Sequence, residues 1–422
     1  MTLKSRGLTL VGAVALAFAL VGCSDEVATD LSPDGVQAAA ATEIPDQYIV
    51  AFNRPEGGLL ATATGLVTAL GGQVLGSLPL IDAVLLRADE AAAARWSRHA
   101  AVAYVEPDQW MHATATQVGP VWGLDRIDQR QRPVDGRFVY PDHGGAGVHL
   151  YIIDTGLHSS HAEFAGRVGG GRNFVANGFG GLGLPIPLLD DLLGGLLGGL
   201  LGGGGSADPE DFSDCEGHGT HVAGTAAGQT YGVAKAATVY GVRVLNCSGS
   251  GPTSAVIAGI EWVVDNHRAP AVANLSLGGG ASTALDDAVR AAVNAGVTMV
   301  VAAGNDSVNA CNGSPNRVAE AIVVGASDSS DRRSSFSNTG PCVDLFAPGS
   351  AIVSAGISGD TSTATLSGTS MAAPHAAGAA ALLAATGAGP QVIESTLRAT
   401  ATENVLSSIG NGSPNLLLYV QP

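Results

Sequence analysis

The chain is organised around the stretch Ser367-Gly368-Thr369-Ser370-Met371-Ala372-Ala373-Pro374-His375. This small-residue turn opens an alanine-rich run, Met371 to Ala385, which predicts a buried helix. Glycine and threonine before Ser370 let the backbone approach a ligand closely, and the free N–H groups of a helix start face that ligand. The Ser370 hydroxyl is therefore a candidate nucleophile. A serine here is also a common helix cap, so the motif alone leaves both interpretations open.

Length and composition limit the classes of protein to which the chain can belong. The chain has 422 residues, of which 46% are hydrophobic and only 14% charged, and its net charge is −17. This length predicts two domains. The 59 glycines indicate a tightly packed α/β architecture with many turns. The negative charge argues against a nucleic-acid partner and fits an exported protein.

The N-terminus is predicted to be a targeting segment, residues 1–23. Lys4 and Arg6 precede an apolar run, Leu8 to Leu20, that is too short to span a bilayer comfortably. The run ends in Leu20-Val21-Gly22-Cys23, which resembles a bacterial lipobox and predicts lipidation of Cys23. An ordinary signal peptide with an incidental cysteine is the alternative. On either interpretation the protein leaves the cytoplasm for a compartment in which disulfides persist.

Two segments precede the main domain. Residues 24–43 are rich in Asp, Ala and Ser without periodicity, and they predict a disordered tether. Residues 44–112 show a β-α-β-β-α-β pattern, which is typical of a small ferredoxin-like α+β domain. Its predicted elements are Gln47–Phe52, Leu59–Leu70, a strand near Val74, Ile81–Leu86, Glu90–His99 and Val102–Val105. A flexible boundary with a cleavage site is expected at His112 to Gln117.

Residues 113–422 form the second predicted domain. Short apolar runs are typical of parallel strands buried on both faces: Val148–Ile153, Val239–Leu245, Val272–Leu277 and Val297–Ala302. Helical stretches such as Ser254–Asn266 and Thr283–Ala295 separate them. The fold class is therefore α/β, a doubly wound, mostly parallel sheet with flanking helices. Its ligands are expected at the carboxyl ends of the strands.

One stretch, residues 178–205, does not fit this pattern. Its leucine pairs recur every four residues, which would align them on one face of a helix. The intervening glycine pairs oppose a helix by about 1 kcal/mol per glycine. The stretch is predicted to be an insertion that the fold does not need. It is either a disordered loop or a segment that folds on a lipid, a partner or a hydrophobic substrate.

Asp154 and His218 are candidate partners of Ser370. Asp154 ends a predicted strand, although an aspartate there is also a common turn or cap residue. His218 lies in a glycine turn that runs into a helix. His221 follows it three residues later, but no acidic third ligand completes a zinc site. A histidine held by a carboxylate has the pKa and fixed tautomer that a general base needs. The chain order Asp…His…Ser is one of those known for serine hydrolase triads.

The three motifs together resemble those of the subtilisin-like serine proteases, specifically the proteinase K and aqualysin-like group. They are Asp154-Thr155-Gly156, His218-Gly219-Thr220-His221-Val222-Ala223-Gly224-Thr225 and Gly368-Thr369-Ser370-Met371-Ala372. The similarity extends from Trp122 to Val420. Residues 44–112, which close with Ala103-Tyr104-Val105-Glu106-Pro107-Asp108, resemble the inhibitory propeptide of the same proteases.

The resemblance implies a role for each motif. Ser370 attacks the scissile carbonyl, His218 transfers the proton, and Asp154 orients the imidazole. Asn305 matches the asparagine of the oxyanion hole, where it acts with the Ser370 N–H. Two edge segments, Gly249-Ser250-Gly251 and Ser276-Leu277-Gly278-Gly279, are expected to hold an extended polypeptide substrate. With no charged residue in or near Ser276 to Gly279 or Ala302 to Gly304, broad specificity with an apolar or aromatic preference is expected.

Calcium and disulfides also follow from the resemblance. Asp344 matches a calcium carboxylate, with the carbonyls of Ala319 and Ala321 as companions, and a second site is implied at Asp125, Asp128 and Gln129. Oxygen ligands suit a hard cation, although solvated surface acids are the alternative. Four cysteines beyond Cys23 allow three pairings. The resemblance to the aqualysin-like branch implies Cys215–Cys247 and Cys311–Cys342.

The leading hypothesis is a secreted, monomeric serine endopeptidase made as a self-processed zymogen with its own propeptide as inhibitor. Cleavage between His112 and Gln117 would separate Cys23 from the catalytic domain, so a lipid would anchor only the precursor. A catalytically silent binding module is the alternative, but silent relatives usually lose one of the four active-site residues. An esterase with the same triad would be expected to carry a G-x-S-x-G elbow, which is not the motif around Ser370.

Overall fold

The computed structural model describes residues 43–53, 59–109, 114–175 and 208–421. The chain divides into two compact units, Met1–Ala38 and Ala39–Pro422, and the first lies outside the described residues. The predicted signal peptide, Cys23, nearly all of the tether and the 178–205 insertion lie outside them as well. No helix among the described residues is long and apolar enough to cross a membrane.

The first described part has the element order that the sequence predicts. Its elements are β1 (Glu43–Phe52), α1 (Leu59–Leu70), β2 (Gln73–Leu78), β3 (Ala83–Arg87), α2 (Glu90–Trp96) and β4 (Val102–Gln109). The antiparallel sheet has the order β2-β3-β1-β4. Val50, Val84 and Trp96 are buried in its core. Asp89 caps α2, because its side chain accepts the N–H of Ala92 at 2.6 Å.

The second described part contains a longer series of elements. Its strands are β5 (Thr114–Val118), β6 (Arg137–Pro141), β7 (His149–Asp154), β8 (Val168–Asn173), β9 (Thr238–Arg243), β10 (Ala271–Leu275), β11 (Gly279–Gly280), β12 (Val297–Ala302), β13 (Gly313–Ser314), β14 (Ile322–Ser327), β15 (Leu345–Pro348), β16 (Ile352–Ala355), β17 (Thr363–Leu366), β18 (Thr402–Glu403) and β19 (Leu416–Leu417). Its helices are α3 (Trp122–Ile127), α4 (His218–Ala227), α5 (Thr253–Asn266), α6 (Thr283–Asn294), α7 (Thr369–Ala384) and α8 (Pro390–Thr400).

Within the described residues, nine strands form a central sheet of order β18-β19-β15-β14-β12-β10-β7-β9-β8. All neighbours are parallel except β18 and β19. Both faces are covered, as the apolar runs predicted. Leu150 and Ile152 pack with α4 and α7, whereas Tyr151 and Ile153 pack with α5 and α6. This alternation confirms the doubly wound α/β class.

The strand order reverses at β7, which lies between β9 and β10. Sites in open α/β sheets form at the carboxyl ends of strands at such a point. Asp154 is the last residue of β7, and Ser276 directly follows β10. Helices α4 and α7 cross closely beneath them, because a Cβ on Gly378 would lie 2.6 Å from the Ala226 carbonyl oxygen. A side chain at this position would push the helices apart. The glycine therefore permits the close contact between the two helices that carry His218 and Ser370.

Two predicted segments differ from the structure. The strand expected to reach Leu277 ends at Leu275, because Ser276 and Leu277 leave the sheet and line the cleft described below. The boundary segment was expected to be flexible, yet Thr114–Val118 pairs along its length with Arg137–Pro141. Its backbone groups are therefore satisfied by a partner that is distant in sequence. Residues 110–113 lie outside the described part.

Candidate active site

The side chains of Asp154 and His218 are in direct contact. His218 begins α4, and its Nδ1 lies 2.7 Å from Asp154 Oδ1. The same carboxylate oxygen accepts the N–H of Thr155 at 2.7 Å. The Asp154 side chain is fully buried, whereas that of His218 is 25% exposed. The carboxylate thus holds the imidazole in one tautomer and leaves Nε2 toward the cleft.

Asp214 organises the loop that carries His218. Its Oδ1 accepts the hydroxyl of Thr155 and the N–H groups of Glu216 and Gly217, and its Oδ2 accepts both donors of Thr220. Burial raises the pKa of Asp214, but these hydrogen bonds outweigh it and the pKa is lowered overall. The carboxylate is therefore ionised and ties the Asp154 strand to the start of α4.

The electrostatic surroundings change the basicity of His218. Burial lowers its pKa, but the charge of Asp154 and the hydrogen bond to it, with contributions from Glu216 and Asp214, raise the pKa to about 9. His221 behaves in the opposite way. Burial lowers the pKa of His221 to about 4, and its Nε2 lies 3.0 Å from the Ile352 carbonyl oxygen. Of these two histidines, His218 is therefore the one that lines the cleft and can carry a proton near neutral pH.

Ser370 lies in the first turn of α7 and faces the same cleft as His218. Its Oγ donates to the Ser276 carbonyl oxygen at 3.1 Å. Among the described residues, no hydrogen bond joins Ser370 Oγ to His218 Nε2. Catalytic hydrogen bonds are often long or misaligned before substrate binds, and rotation about one side-chain bond changes the direction of this hydroxyl.

Asn305 lies beside Ser370 with its amide held in place. Its Oδ1 accepts the N–H of Thr369 at 2.8 Å and the Thr369 hydroxyl at 3.0 Å. The acceptor end is thereby occupied, and Nδ2 lies next to the turn at Gly368, where an added Cβ would be 3.5 Å away. Asn305 and Ser370 line the same cleft, so the Asn305 amide and the Ser370 N–H can donate to one acceptor there.

Two residues hold the loop that carries Asn305 in its conformation, Gly304 within the loop and Asn338 from a distant segment. Gly304 has φ +101°, and a Cβ there would lie 2.3 Å from Asn338 Nδ2. Asn338 donates to the Ala303 carbonyl and accepts the N–H of Asp306. The loop between β12 and Asn305 is thus clamped by a residue from a distant segment.

A cleft of about 770 Å³ joins these groups. Both predicted edge segments line it, Gly249-Ser250-Gly251 on one side and Ser276-Leu277-Gly278-Gly279 on the other, together with His218, Asn305 and Ser370. Gly279 pairs with Ser314, which holds the second edge against the body of the fold. The groove between two such edges matches an extended peptide.

The four cysteines form the pairing that the resemblance implies. Cys215 and Cys247 are 5.1 Å apart between Cα atoms, and Cys311 and Cys342 are 5.4 Å apart. The first disulfide links the His218 loop to the residues just before Gly249. Arg243 donates to Cys215 Sγ at 3.2 Å from the side of the sheet.

Asp344 directly precedes β15, and 17% of its side chain is exposed. Its Oδ2 accepts the Val323 N–H at 2.8 Å, and Arg398 lies 3.4 Å from its Oδ1. Burial raises the pKa of Asp344 to about 6, against the lowering effects of Val323 and Arg398. The predicted carbonyl partners, Ala319 and Ala321, precede the paired strand β14. Arg398 already supplies a positive charge beside the Asp344 carboxylate.

Asp125 and Asp128 come together at the end of α3. Asp125 accepts the Gly136 N–H at 3.0 Å, and Asp128 Oδ2 accepts the Val139 N–H at 2.6 Å. Asp128 Oδ1 is buried without a hydrogen-bond partner among the described residues. Burial, with smaller contributions from the charges of Asp135 and Asp125, raises the pKa of Asp128 to about 6, against the lowering effect of the hydrogen bond from Val139. The Gln129 carbonyl accepts from Arg126 at 2.7 Å.

Neither acidic site has a complete carboxylate shell. Within the described ranges, no group of three or more His, Cys, Asp or Glu side chains is placed to hold a metal ion. A cation at either site would need carbonyl oxygens as further ligands. The orphan oxygen of Asp128 fits a cation better than Asp344 does, because Asp344 already contacts a guanidinium.

Fold and site define the class of protein. A buried carboxylate fixes an imidazole that opens on a cleft, and a helix-start serine beside a fixed amide donor lines the same cleft. This arrangement is that of a serine hydrolase with an Asp–His–Ser triad.

Residues 145–412 match the model of the subtilase family. The extracellular serine proteinase of Thermus sp. (strain Rt41A) is 53% identical over 328 residues, which cover 77% of this chain and 72% of that protein. Alkaline serine exoprotease A of Vibrio alginolyticus is 46% identical and covers 75% of this chain and 54% of its own. The crystal structure of a cold-adapted subtilisin-like serine proteinase superposes with a TM-score of 0.63 at 47% identity, covering 72% of this chain and 99% of the other. The chain therefore belongs to the subtilase family of serine peptidases.

Proposed function

We propose that this subtilase is a secreted endopeptidase of broad specificity, made as a zymogen that processes itself. The observation that carries the proposal is the Asp154–His218 contact at 2.7 Å, which opens on the same cleft as Ser370 and Asn305. A silent module would not need this arrangement, since each of the four groups is held by its own partners.

The proposed reaction begins when the Ser370 hydroxyl turns from Ser276 toward His218. Nε2 of His218 takes the proton as Oγ attacks the scissile carbonyl carbon, and the C–O bond forms. The developing oxyanion accepts from Asn305 Nδ2 and the Ser370 N–H. His218 then protonates the leaving amine as the C–N bond breaks. Water then attacks the acyl-enzyme through the same steps and releases the acid product.

The substrate is proposed to bind as an added strand between the two edge segments. Backbone groups of Gly249–Gly251 and Ser276–Gly279 recognise any sequence equally, which supports broad specificity. The side chain of the scissile residue would enter the space between Ser276–Gly279 and Ala302–Gly304. No charge is present on those residues, so an apolar or aromatic side chain is favoured there.

Residues 44–112 are proposed to be the inhibitory propeptide, with cleavage between His112 and Gln117. Support comes from the ferredoxin-like order of this part and from an apolar surface at the turn that joins β2 to β3. Leu80 is 97% exposed and Ile81 48% exposed, which is unusual for large apolar residues without a partner. Because Cys23 precedes the cut, a lipid on it would anchor the precursor alone, and the mature enzyme would be extracellular.

Calcium is proposed as a structural ion. Asp125 and Asp128, with an oxygen of Gln129, would hold it at the end of α3, and Asp344 with the carbonyls of Ala319 and Ala321 is the second proposed position. Bound calcium would neutralise buried carboxylates and take no part in the chemistry. The orphan oxygen of Asp128 is the main support for the first position.

A fluorophosphonate probe tests the proposed activity on the full chain. Labelling is expected at Ser370 in the native protein and should be lost in Ser370→Ala, which should also remain a precursor. A native chain that stays unlabelled would support the silent module. A purified Ser370→Ala chain that reaches mature size without another protease would exclude self-processing. Hydrolysis of esters but not of peptides would favour an esterase.

A further inference from the structure

Asn316 is a buried polar residue of the cleft that belongs neither to the triad nor to the oxyanion hole. It is 6% exposed, and it lines the cleft together with Gly304 and Asn305. Its Nδ2 donates to the Ala303 carbonyl oxygen at 2.6 Å. Its Oδ1 is buried, and no donor in the described part of the chain forms a hydrogen bond with it. One end of this amide is thus firmly held, whereas the other end is unsatisfied.

The unsatisfied oxygen makes Asn316 unfavourable for the stability of the fold. A buried acceptor without a donor loses its hydrogen bonds to water and gains none in return. Such groups are uncommon in folded proteins. An alanine at this position would have no such oxygen. Stability therefore does not account for an asparagine here, and the reason for it lies in what its Nδ2 holds.

The carbonyl that Asn316 holds has a second amide donor. Asn338 Nδ2 donates to the same Ala303 oxygen at 2.9 Å. A carbonyl oxygen has two lone pairs, so each amide can take one of them. The Ala303 N–H donates to the Val324 carbonyl oxygen of the neighbouring strand β14 at 3.0 Å. Ala303 is therefore fixed on both sides, and two donors set the direction of its carbonyl.

The peptide bond that begins with this carbonyl leads directly to the oxyanion hole. Its N–H belongs to Gly304 and donates to Thr369 Oγ1 at 3.1 Å. The same hydroxyl donates to Asn305 Oδ1 at 3.0 Å. Gly304 lacks a Cβ, so its backbone has more rotational freedom than that of any other residue type. The direction of the Asn305 amide therefore depends on how firmly the Ala303 carbonyl is held.

We propose that Asn316 is a positioning residue of the oxyanion hole, which fixes the Ala303 carbonyl and, through it, the loop that carries Asn305. A donor of an oxyanion hole acts only when it is aimed at the place where negative charge develops. A small displacement of Asn305 Nδ2 would weaken its contact with the transition state more than it weakens substrate binding, since the two edge segments hold the peptide. Loss of Asn316 should therefore lower kcat and leave KM nearly unchanged. This inference rests on the proposed endopeptidase activity.

Asn338 provides the matched comparison, because it contacts the same carbonyl and has both ends satisfied. Its Oδ1 accepts the N–H groups of Asp306 and Val308 at 3.0 Å each. Loss of the Asn338 side chain would leave those two donors without this acceptor, so it should lower the stability of the fold as well as kcat. Asn316 makes no such contribution through its Oδ1. The two asparagines therefore separate positioning from folding.

The test compares the matured native enzyme with its Asn316→Ala and Asn338→Ala variants on Ala-Ala-Ala-Phe-p-nitroanilide. Asn316→Ala is expected to lower kcat about threefold to tenfold, which corresponds to one lost hydrogen bond, and to change KM by less than about twofold. Its melting temperature should stay at or above the native value, because the unsatisfied Oδ1 is removed together with the hydrogen bond. Asn338→Ala should lower both kcat and the melting temperature. Asn316→Leu fills a similar volume without a donor and takes the place of the alanine variant if that one fails to mature.

An Asn305→Ala background shows whether Asn316 acts through the oxyanion hole. With the Asn305 amide absent, Asn316→Ala should change kcat by less than about twofold, because the donor that it positions is gone. The Asn305→Ala proteins are assayed after prolonged maturation, since they process themselves slowly. The aldehyde acetyl-Ala-Ala-phenylalaninal gives an independent readout, because its reversible adduct with Ser370 places an oxygen in the oxyanion hole. Its affinity should fall in Asn316→Ala by about the same factor as kcat.

Each result supports or overturns the proposed role. An unchanged kcat in the Asn316 variants overturns this inference and leaves the peptidase function standing. An equal fractional loss of kcat in the native and Asn305→Ala backgrounds also overturns it, since the effect would then not pass through Asn305. A fall in melting temperature as large as that of Asn338→Ala shows a folding residue and has the same consequence. If the native enzyme hydrolyses no peptide, both proposals fail.

Discussion

Ser276 and Ser370 are joined by two hydrogen bonds in opposite directions. The Ser276 hydroxyl donates to the Ser370 carbonyl oxygen at 2.8 Å, and the Ser370 hydroxyl donates to the Ser276 carbonyl oxygen at 3.1 Å. The first bond is available because Pro374 lies four residues after Ser370 in α7 and has no N–H for that carbonyl. Asn274 supports the arrangement by donating to the Ser276 hydroxyl at 2.9 Å.

This relationship predicts coupled effects of Ser276→Ala and Pro374→Ala. Loss of the Ser276 hydroxyl should lower kcat about fivefold, since one hydrogen bond contributes about 1 kcal/mol to holding the nucleophile. In a Pro374→Ala background the restored N–H can satisfy the Ser370 carbonyl, so the same loss should be clearly smaller. Steady-state kinetics of the native protein, the two single variants and the double variant give the coupling energy between Ser276 and Pro374. Strictly additive losses would show that the proline does not create the need for Ser276.

The raised pKa of His218 predicts an alkaline activity profile. The general base must be neutral, and its pKa lies at about 9 rather than near 6.5. The value of kcat/KM on a non-ionising peptide substrate should therefore rise with pH through about 9. The protonated His218–Asp154 pair also contributes to folding stability. This contribution is complete below about pH 6.5 and is lost as pH rises through 9. An activity profile already flat above pH 7 would contradict the assignment.

Removal of calcium should lower the melting temperature of the mature enzyme. Ligands that bind only the folded state stabilise it by mass action, and a drop of about 5 to 10 °C on chelation is expected. Asp128→Asn should reduce this drop because it removes one carboxylate from the proposed site. Asp344→Asn is the matched substitution at the other position. If chelation has no effect on either the native protein or the variants, the calcium proposal is wrong at both positions.

Local sequence patterns were sufficient for much of the fold. The bounds of α1 and β12 agree with those predicted, because α1 is a helix-like run and β12 a continuous apolar run, and glycines lie near both ends of each. The triad residues could be proposed because each occurs in a long motif at a turn. The strand Thr114–Val118 was missed, since its pairing with Arg137–Pro141 depends on a register that no local pattern contains.

The contacts that support the site residues also could not be predicted from the sequence. Asp214 joins the Asp154 strand to the His218 loop through both carboxylate oxygens, but from the sequence it is one acid among several before Cys215. The contact of Asn338 with the Asn305 loop likewise depends on tertiary packing. Asn316 was not singled out either, because only the structure shows that its amide joins that of Asn338 at the Ala303 carbonyl.

The ends of the 178–205 insertion predict that it can be removed. Asn173, at the end of β8, donates its N–H to the Pro209 carbonyl oxygen at 2.9 Å, and its side-chain amide donates to the Asp208 backbone carbonyl oxygen at 3.2 Å. Residues that flank the insertion are therefore held together by Asn173 independently of the sequence between them. Replacing residues 180–204 with a short Gly/Ser linker should leave maturation, the melting temperature and hydrolysis of a small peptide close to native values, because closing a shorter loop costs less entropy.

Asn173→Ala in the shortened chain provides the control for this prediction. The substitution removes the side-chain hydrogen bond to Asp208 and keeps the backbone one to Pro209, so it should lower the melting temperature of the shortened and native chains by similar amounts, since both depend on the same side-chain contact. A linker variant that fails to mature would show that the leucine pairs pack into the core. A variant that matures but no longer binds vesicles or a hydrophobic protein substrate, while still cleaving small peptides, would assign the insertion to recognition rather than to folding.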